Sequence, residues 1–420
     1  MVKTFDSYYL RYIETTVRIL LLVFPVLMLT VLGGMNAVLF ASVLIALLVK
    51  LHPPRFLVKT EWRNQWWPYV IAMFAVTVAI MISQTYHQNF SAPHYDGPAR
   101  YWLAIPVFLL FYRLDLRVFD TLQFAFPIAA IVGWVFANDH IYGEAGISLP
   151  LIDKIRYGDS MLLLSVLSLL SIDWLKKDAL YLRVLKWAGF GIGLLAVFQS
   201  GTRGTLLAIP VFVVIYLIFR GGNLNLRSIL ASLALGILVI GGAYLASSTV
   251  QYRLHQMVSD VITFSQGNRD TSTGIRWQLY AAAVEIIAEH PIFGVGTGGY
   301  ALQMAPMAAA GKITPMAAEL GRGEVHNDIL KKTADMGIFG LAALMAVYLV
   351  PFWMFRKASR SGSMQIQRAG VMGMFFVSGF IVFGLTAEIL NLTMTISFYS
   401  FTVAVLLAYC HNIHHKQGTT

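Results

Sequence analysis

Long apolar runs, each closed by a short polar or basic stretch, recur along most of the 420 residues. A helix needs roughly 17–25 mostly apolar residues to cross a bilayer, and fewer where a bundle shelters its ends. On that scale the pattern predicts twelve spans, at 17–32, 35–49, 67–82, 101–112, 119–136, 160–174, 184–199, 205–219, 229–246, 329–355, 369–389 and 392–409. The fourth is short and contains Pro106, and the first two are joined by a tight turn at Gly33-Gly34. The expected fold class is all-α: a polytopic membrane protein of about twelve transmembrane helices. Residues 1–246 form an N-terminal membrane region of about nine helices. Residues 247–327 form a polar loop subdomain, and 328–420 a C-terminal membrane region of about three helices.

Basic residues orient this set, because Lys and Arg accumulate in cytoplasmic loops. Lys50, Arg55, Lys59 and Arg63 share one loop, and Arg113 and Arg117 another. Lys176, Lys177, Arg183 and Lys186 follow, then Arg220 and Arg227, then Arg356, Lys357, Arg360 and Arg368. With twelve spans all five loops fall on one side, read as cytoplasmic together with both termini. The opposite side, a periplasm in a bacterium or in principle an organelle lumen, receives 84–99, 137–159, 199–203, 247–327 and the turn at 388–391. Residues 1–14 are polar and the run after them reads as an uncleaved signal anchor.

The segment 247–327 is too polar to span and too long for a plain connection. Within it, 274–290 carries a helical period, with Trp277, Ala281, Val284 and Ile287 on one face. Ser272 or Thr273 is the expected cap and Pro291 with Gly294 the expected stop. Arg276 then falls in the first turn, against the helix dipole, which makes more sense if an anion binds there. The run 291–300 has four glycines in six residues but no Walker lysine and no strand before it, so it reads as a tight turn packed on membrane helices. Residues 304–316 mix Met, Ala, Pro and Gly, and read as a pliable loop at the bilayer surface.

Composition narrows the classes. The chain is 57% hydrophobic and only 12% charged, about half the charge of a soluble domain. The net charge of +10 is carried mainly by loop anchors, which removes nucleic acid as a partner. The single cysteine, Cys410, excludes an intrachain disulfide and any multi-cysteine metal site. No metal site or cofactor is expected: there is no Asp-x-Asp, and the lone Asp115 falls in a cytoplasmic loop. His411, His414 and His415 read as a solvated tail, and His290 as structural.

Against that apolar background, Arg203, Arg276 and His326 gather on the outward face. Fixed guanidinium cations suit a pyrophosphate, and a titratable imidazole suits removal of a proton from a hydroxyl. Their setting is ordered. Ser200-x-x-Arg203 opens a span; Arg276-Trp277 begins an outward helix closed by Pro291-Ile-Phe-Gly-Val-Gly296. His326-Asn327 begins the next span, followed by Gly337-Ile-Phe-Gly-Leu341. In this order the motifs, over 199–341, resemble the O-antigen ligase family, within the superfamily that also holds O-antigen polymerases and protein O-oligosaccharyltransferases. Asp328 departs from the family pattern, where an aromatic or apolar residue is common after His-Asn.

The resemblance implies a lipid-carrier glycosyltransferase of GT-C-like architecture in the inner membrane. The donor would be undecaprenyl-pyrophosphate-linked O-antigen and the acceptor a hydroxyl of the lipid A-core oligosaccharide. Transfer would be metal-independent and inverting, with Arg203 and Arg276 stabilising the pyrophosphate and His326 as general base. Further substrate-binding candidates are Arg100, Lys154 and Arg156 in the earlier outward loops, Asn327 beside the histidine, and Glu388 in the last outward turn. Trp277, Tyr300 and Tyr142 are aromatic surfaces for sugars. Plainer roles stay open: Arg203 snorkelling at an interface, Arg276 paired with Asp270, Glu285 or Glu289, His326 capping a helix, and Glu388 paired with Arg203 or Arg276. A polymerase of the same superfamily is the alternative function. A lipid-linked glycan transporter ranks below both, since no internal repeat is evident.

Overall fold

The computed structural model describes residues 2–54, 64–138, 152–219 and 266–416, with scattered positions between 230 and 263. Among the described residues the regular structure is helical and no strand forms. The membrane bundle contains α1 (Val2–Thr30), α2 (Gly34–Leu51), α3 (Trp67–His87), α4 (Asp96–Arg113), α5 (Leu122–Asn138), α6 (Lys154–Leu170) and α7 (Leu180–Ser200). After a break come α8 (Arg203–Leu206) and α9 (Ala208–Phe219). The polar insertion supplies α10 (Ser272–Glu289), α11 (Gly299–Ala309) and α12 (Pro315–Gly321), and the chain closes with α13 (Asp328–Ala358), α14 (Met364–Gly384) and α15 (Thr393–His411).

Eight of these helices (α1, α2, α3, α5, α7, α13, α14 and α15) are long and apolar enough to cross a membrane. Eleven of the twelve expected spans fall on helices, and 229–246 lies outside the described residues. The sixth span is displaced: α6 starts at Lys154 rather than 160, because Asp153 caps it by accepting from the Ile155 and Arg156 N–H groups at 3.0 and 3.1 Å. Its polar first turn reads as loop in sequence and is helix in the fold.

At the centre is α15, buried from Met394 to Cys410 on every side. A helix surrounded by protein must satisfy its polar groups internally, and most of those here are satisfied, the Thr402 hydroxyl being an exception. Ser397 donates to Asn36 of α2 at 2.6 Å, and Tyr399 donates to the Val347 carbonyl of α13 at 2.7 Å. Small residues bring α6 and α7 close: Gly189 and Gly193 lie against Ser168 and Ser165, whose hydroxyls bond to the Lys186 and Phe190 carbonyls at 2.8 and 2.7 Å. This is the packing that lipid-embedded helices favour. Lys186 itself departs from the loop-anchor expectation. It is fully buried, paired to Asp178 at 2.8 Å and bonded to Gln123 at 2.9 Å. His414 and His415 are half-buried rather than a solvated tail, with ring nitrogens at the Arg113 and Tyr409 carbonyls.

The insertion has its own core, built from Ile275, Leu279, Ile286, Tyr300, Met304 and Met307 with Val325 and Ala334. Met304 and Met307 are thus core residues of a helix, where a pliable loop was expected. The buried face of α10 is Ile275, Leu279, Ala282, Ala283 and Ile286, so the expected apolar stripe faces outward, with Trp277 67% and Val284 56% exposed. Thr271 is the cap, accepting from the Gly274 N–H at 3.1 Å. The helix therefore starts earlier than expected and Arg276 lies just past the first turn, where the dipole argument weakens.

The two glycine motifs lock together. Val295 and Gly296 donate backbone N–H groups to the Ala334 and Asp335 carbonyls at 3.0 and 2.9 Å, and Ile338 donates to the Pro291 carbonyl at 3.0 Å. α13 yields at Gly337, where φ is 60° and ψ −145°. A Cβ there would collide with the Ile292 carbonyl. Only glycine adopts that conformation without strain of about 1–3 kcal/mol. Gly337→Ala is therefore expected to lose about that much stability and to lower the melting temperature of the detergent-solubilised protein; an unchanged transition contradicts this lock.

Candidate functional site

The turn between α14 and α15, Leu385–Glu388, collects four other segments. Arg156, in the first turn of α6, donates from Nη2 to the Glu388 carbonyl at 2.9 Å and lies 3.6 Å from Glu324 Oε1. Asp153 supplies its second carboxylate. Glu324 accepts the Glu388 N–H at 2.8 Å, and the Glu388 carboxylate accepts the Val325 N–H. Asn327 donates to the Leu385 carbonyl at 3.1 Å while its oxygen caps α13 by accepting from Leu330 N–H at 3.0 Å. Tyr280 of α10 donates to the His326 carbonyl at 3.0 Å and lies 3.4 Å from that of Leu385.

The polar break that carries Arg203 closes the other side. Gly201, with φ of 65°, ends α7 in a left-handed turn. Gly204 sits so close to Thr386 that a Cβ would clash with its hydroxyl. The hydroxyls of Ser200, Thr202 and Thr205 are linked at 2.8 and 2.9 Å, and Thr205 donates to buried Asp159 at 2.6 Å. This chain fixes the break against α6. Arg203 is half-buried at its edge.

His326 adopts a φ of 62°, uncommon for a residue with a side chain. Its Nδ1 faces Glu324 Oε1 at 3.6 Å, an electrostatic approach longer than a hydrogen bond. Nε2 makes no hydrogen bond among the described residues. A carboxylate facing one ring nitrogen favours one ring orientation and leaves the other nitrogen for chemistry. Burial alone raises the Glu324 carboxyl, but His326, the Glu388 N–H and Arg156 outweigh it and hold the group below the ordinary carboxylate range. Burial dominates at Glu388, whose carboxyl is pushed up to about 7 despite Lys331 and the Val325 N–H. The Tyr280 hydroxyl is raised by burial, opposed by the field of Arg276 one turn earlier. Arg276 thus acts on the same group that touches His326.

The structure brings Arg156, His326, Asn327 and Glu388 together around one turn, sets the segment carrying Arg203 against it, and places Arg276 one helical turn before Tyr280. Arg276 makes no ion pair among the described residues, since Glu285 pairs with Lys312 and Asp270 bonds Thr314. Lys154, half-buried, opens α6 two residues before Arg156. Two candidates are placed elsewhere in kind. Arg100 is buried between α2 and α4, held by Asn36 at 3.2 Å and Asp96 at 2.9 Å. Tyr300 is fully buried, its hydroxyl donated to the Leu279 carbonyl at 3.1 Å, so its ring offers no face to a sugar. Trp277 is exposed, and Tyr142 lies outside the described residues. Asp328, the departure from the family pattern, is buried and ties Tyr348 at 3.1 Å to the Leu390 N–H at 3.3 Å. Sequence reading missed Glu324 and Tyr280. The available signal for Glu324 was an acid two residues before the histidine; nothing local marks Tyr280, whose partner lies 46 positions further along the chain.

Comparison with known proteins covers the same segments. Residues 188–345 match the family model described as O-antigen ligase, which spans the Arg203, Arg276 and His326 segments. The chain is 25% identical over 289 residues to an uncharacterized protein of Haemophilus influenzae, covering 67% of this chain and 71% of that one. It is 24% identical over 244 residues to an O-antigen ligase of Escherichia coli, covering 58% of this chain and 57% of that relative. Over residues 188–345 the chain is thus similar to the O-antigen ligase family, and eight of its described helices are long and apolar enough to cross a membrane.

Proposed function

We propose that the chain transfers an O-antigen glycan from undecaprenyl pyrophosphate to a sugar hydroxyl of lipid A-core. The reaction takes place at the periplasmic face of the inner membrane, with both termini cytoplasmic. Guanidinium groups of Arg203 and Arg276 hold the donor's pyrophosphate and neutralise the charge that grows on it as the glycosidic C–O bond breaks. The acceptor oxygen attacks the anomeric carbon opposite the leaving group, inverting it. His326 takes the acceptor's proton, and undecaprenyl pyrophosphate departs. Glu324, 3.6 Å from Nδ1, orients the imidazole. Arg156, whose guanidinium is held by Asp153, Glu324 and Glu388, fixes the turn rather than reaching for substrate, and Asn327 does the same from the α13 side.

One observation supports this reading: His326, backed by Glu324, and Tyr280, one helical turn after Arg276, meet at a turn that also meets the Arg203 break. An enzyme that activates an alcohol against a diphosphate ester needs a base and fixed cations within one site, and these residues supply both.

His326→Ala should lower transfer by about a hundredfold or more while the protein still inserts; full activity removes the base. Glu324→Gln should lower kcat with little change in KM, because ring orientation matters in the transition state. Cells lacking the chain should carry lipid A-core without any repeat; single repeats left on the core mark a polymerase instead. Transfer should persist in excess chelator, and a loss restored by a divalent cation contradicts charge neutralisation by arginine.

The raised carboxyl of Glu388 gives a pH signature. Its folded value of about 7 exceeds the ordinary 4.5, so folding favours the protonated form. Its stabilising contribution is complete below about 4.5 and is lost as pH rises through about 7. Glu388→Gln, permanently neutral, should flatten that part of the melting-temperature profile; a variant that follows the wild-type decline shows that another group titrates.

A further inference from the structure

A polar cavity lies on the other side of the 322–332 segment from the Leu385–Glu388 turn. It has a volume of about 390 Å³, within the range of small-ligand sites. Its walls come from α3, the start of α4, the glycine loop before α11, the first turns of α13 and residues 390–396. Apolar side chains such as Val76, Tyr101 and Met336 line part of it, and the charged residues are mostly basic: His94, Arg322, Lys331 and Lys332 against Asp96 and Asp335.

The pairing inside the cavity leaves positive charge over. Asp96 is taken by Arg100 at 2.9 Å and Asp335 by Lys331 at 2.9 Å. Arg322 and Lys332 have no ion-pair partner among the described residues. The field of Lys332 reaches Asp328 behind the wall, but that carboxylate already bonds Tyr348 and the Leu390 N–H. Two donors add to the cations. His94 Nδ1 is buried with no hydrogen-bond partner, and the Thr297 hydroxyl accepts from Gln84 at 3.3 Å, leaving its own proton to give. Gly298, at φ of 77°, brings the loop within van der Waals reach of His94, where a side chain would crowd the ring.

We propose that this cavity binds a phosphate group of the acceptor saccharide, making it a second anion site distinct from the one that holds the donor's pyrophosphate. The assignment rests on the transferase reading above, because a two-substrate reaction needs a place for the second, incoming molecule. Geometry favours the acceptor here. The cavity and His326 share one wall: Arg322 and Lys332 lie on the cavity side, while Glu324 and His326, between them in sequence, meet the Leu385–Glu388 turn. A phosphorylated sugar anchored at Arg322 and Lys332 is held beside that wall. The mixed apolar and cationic lining suits a saccharide phosphate, with the ring against Tyr101 and the phosphate on the bases.

The test uses the full chain in nanodiscs and the double variant Arg322→Gln/Lys332→Gln. Acceptors are lipid A-core with its phosphates and the same material after phosphatase treatment. For the phosphorylated acceptor the variant's KM should rise about tenfold or more, since each charge-assisted contact is worth about that factor. Its kcat and donor KM should stay within about twofold, and the dephosphorylated acceptor should not distinguish variant from wild type. An equal loss with both acceptors, a rise in donor KM, or no change overturns the proposal.

A binding arm separates this proposal from the ligase reading. Delipidated core oligosaccharide, with and without phosphate, is titrated against wild type and variant, followed by thermal shift. If no acceptor supports transfer, the ligase reading fails. Phosphate-dependent binding lost in the variant still upholds the cavity as a saccharide-phosphate site, and equal binding by both proteins overturns it. Displacement by inorganic phosphate at millimolar concentration supports a phosphate-specific site. Displacement by phosphatidylglycerol nanodiscs, but not by phosphate, assigns the cavity to lipid headgroups and overturns the proposal.

Discussion

The site depends on hydrogen bonding to one short turn. Leu385–Glu388 must end α14 and begin the approach to α15, passing from a partly exposed Leu385 to buried Ala387 and Glu388, where an unpaired backbone group costs free energy. Its carbonyls and N–H groups are taken by Arg156, Asn327, Tyr280 and Glu324, which belong to segments far apart in sequence. Satisfying the turn and assembling the site are therefore the same event. Loss of one partner leaves a buried polar group exposed to mismatch and also displaces whichever segment carried it.

That arrangement explains how a mostly apolar chain tolerates so much charge in one place. Arg156 sits among Asp153, Glu324 and a carbonyl; Glu324 answers Arg156, His326 and an N–H. Each group is compensated by several partners, so no single full charge is left bare. At the other end of the bundle Lys186 and Asp178 follow the same logic in an isolated pair, closed and fully buried. A buried pair of that kind holds helices in register but offers nothing to a ligand. The site differs because Arg203, Arg276 and His326 are only half-buried, so part of each remains reachable.

The glycine motifs serve this geometry from a distance. By pairing the 291–296 loop with a kinked stretch of α13, they fix where the insertion's core meets the bundle. The first turns of α13 belong to both, contributing Ala334 to the insertion core and Asp328 to the contact with α15's approach. Hence Tyr280, on the insertion, can reach the backbone of His326 and of the turn. A rigid joint here fixes where the His326 backbone sits relative to the helix that carries Arg276 and Tyr280.

Much of this was legible in the residues alone, because burial in lipid demands long apolar runs and makes every exception conspicuous. The helices, their approximate number, and Arg203, Arg276 and His326 as outliers follow from that demand. The register of α10 did not, since its apolar residues are spread around the helix and only contact with α11, α12 and α13 selects Ile275, Leu279 and Ile286 as the inner face. Nor did the fates of Arg100 and Tyr300, which look like exposed loop or surface residues in sequence and are consumed by Asn36, Asp96 and the Leu279 carbonyl in the fold. Glu324 stood two residues from the histidine and carried no pattern of its own. Periodicity and composition report on a residue's own helix, whereas hydrogen-bond partnership depends on which distant backbone arrives beside it, and only the packed tertiary structure specifies that.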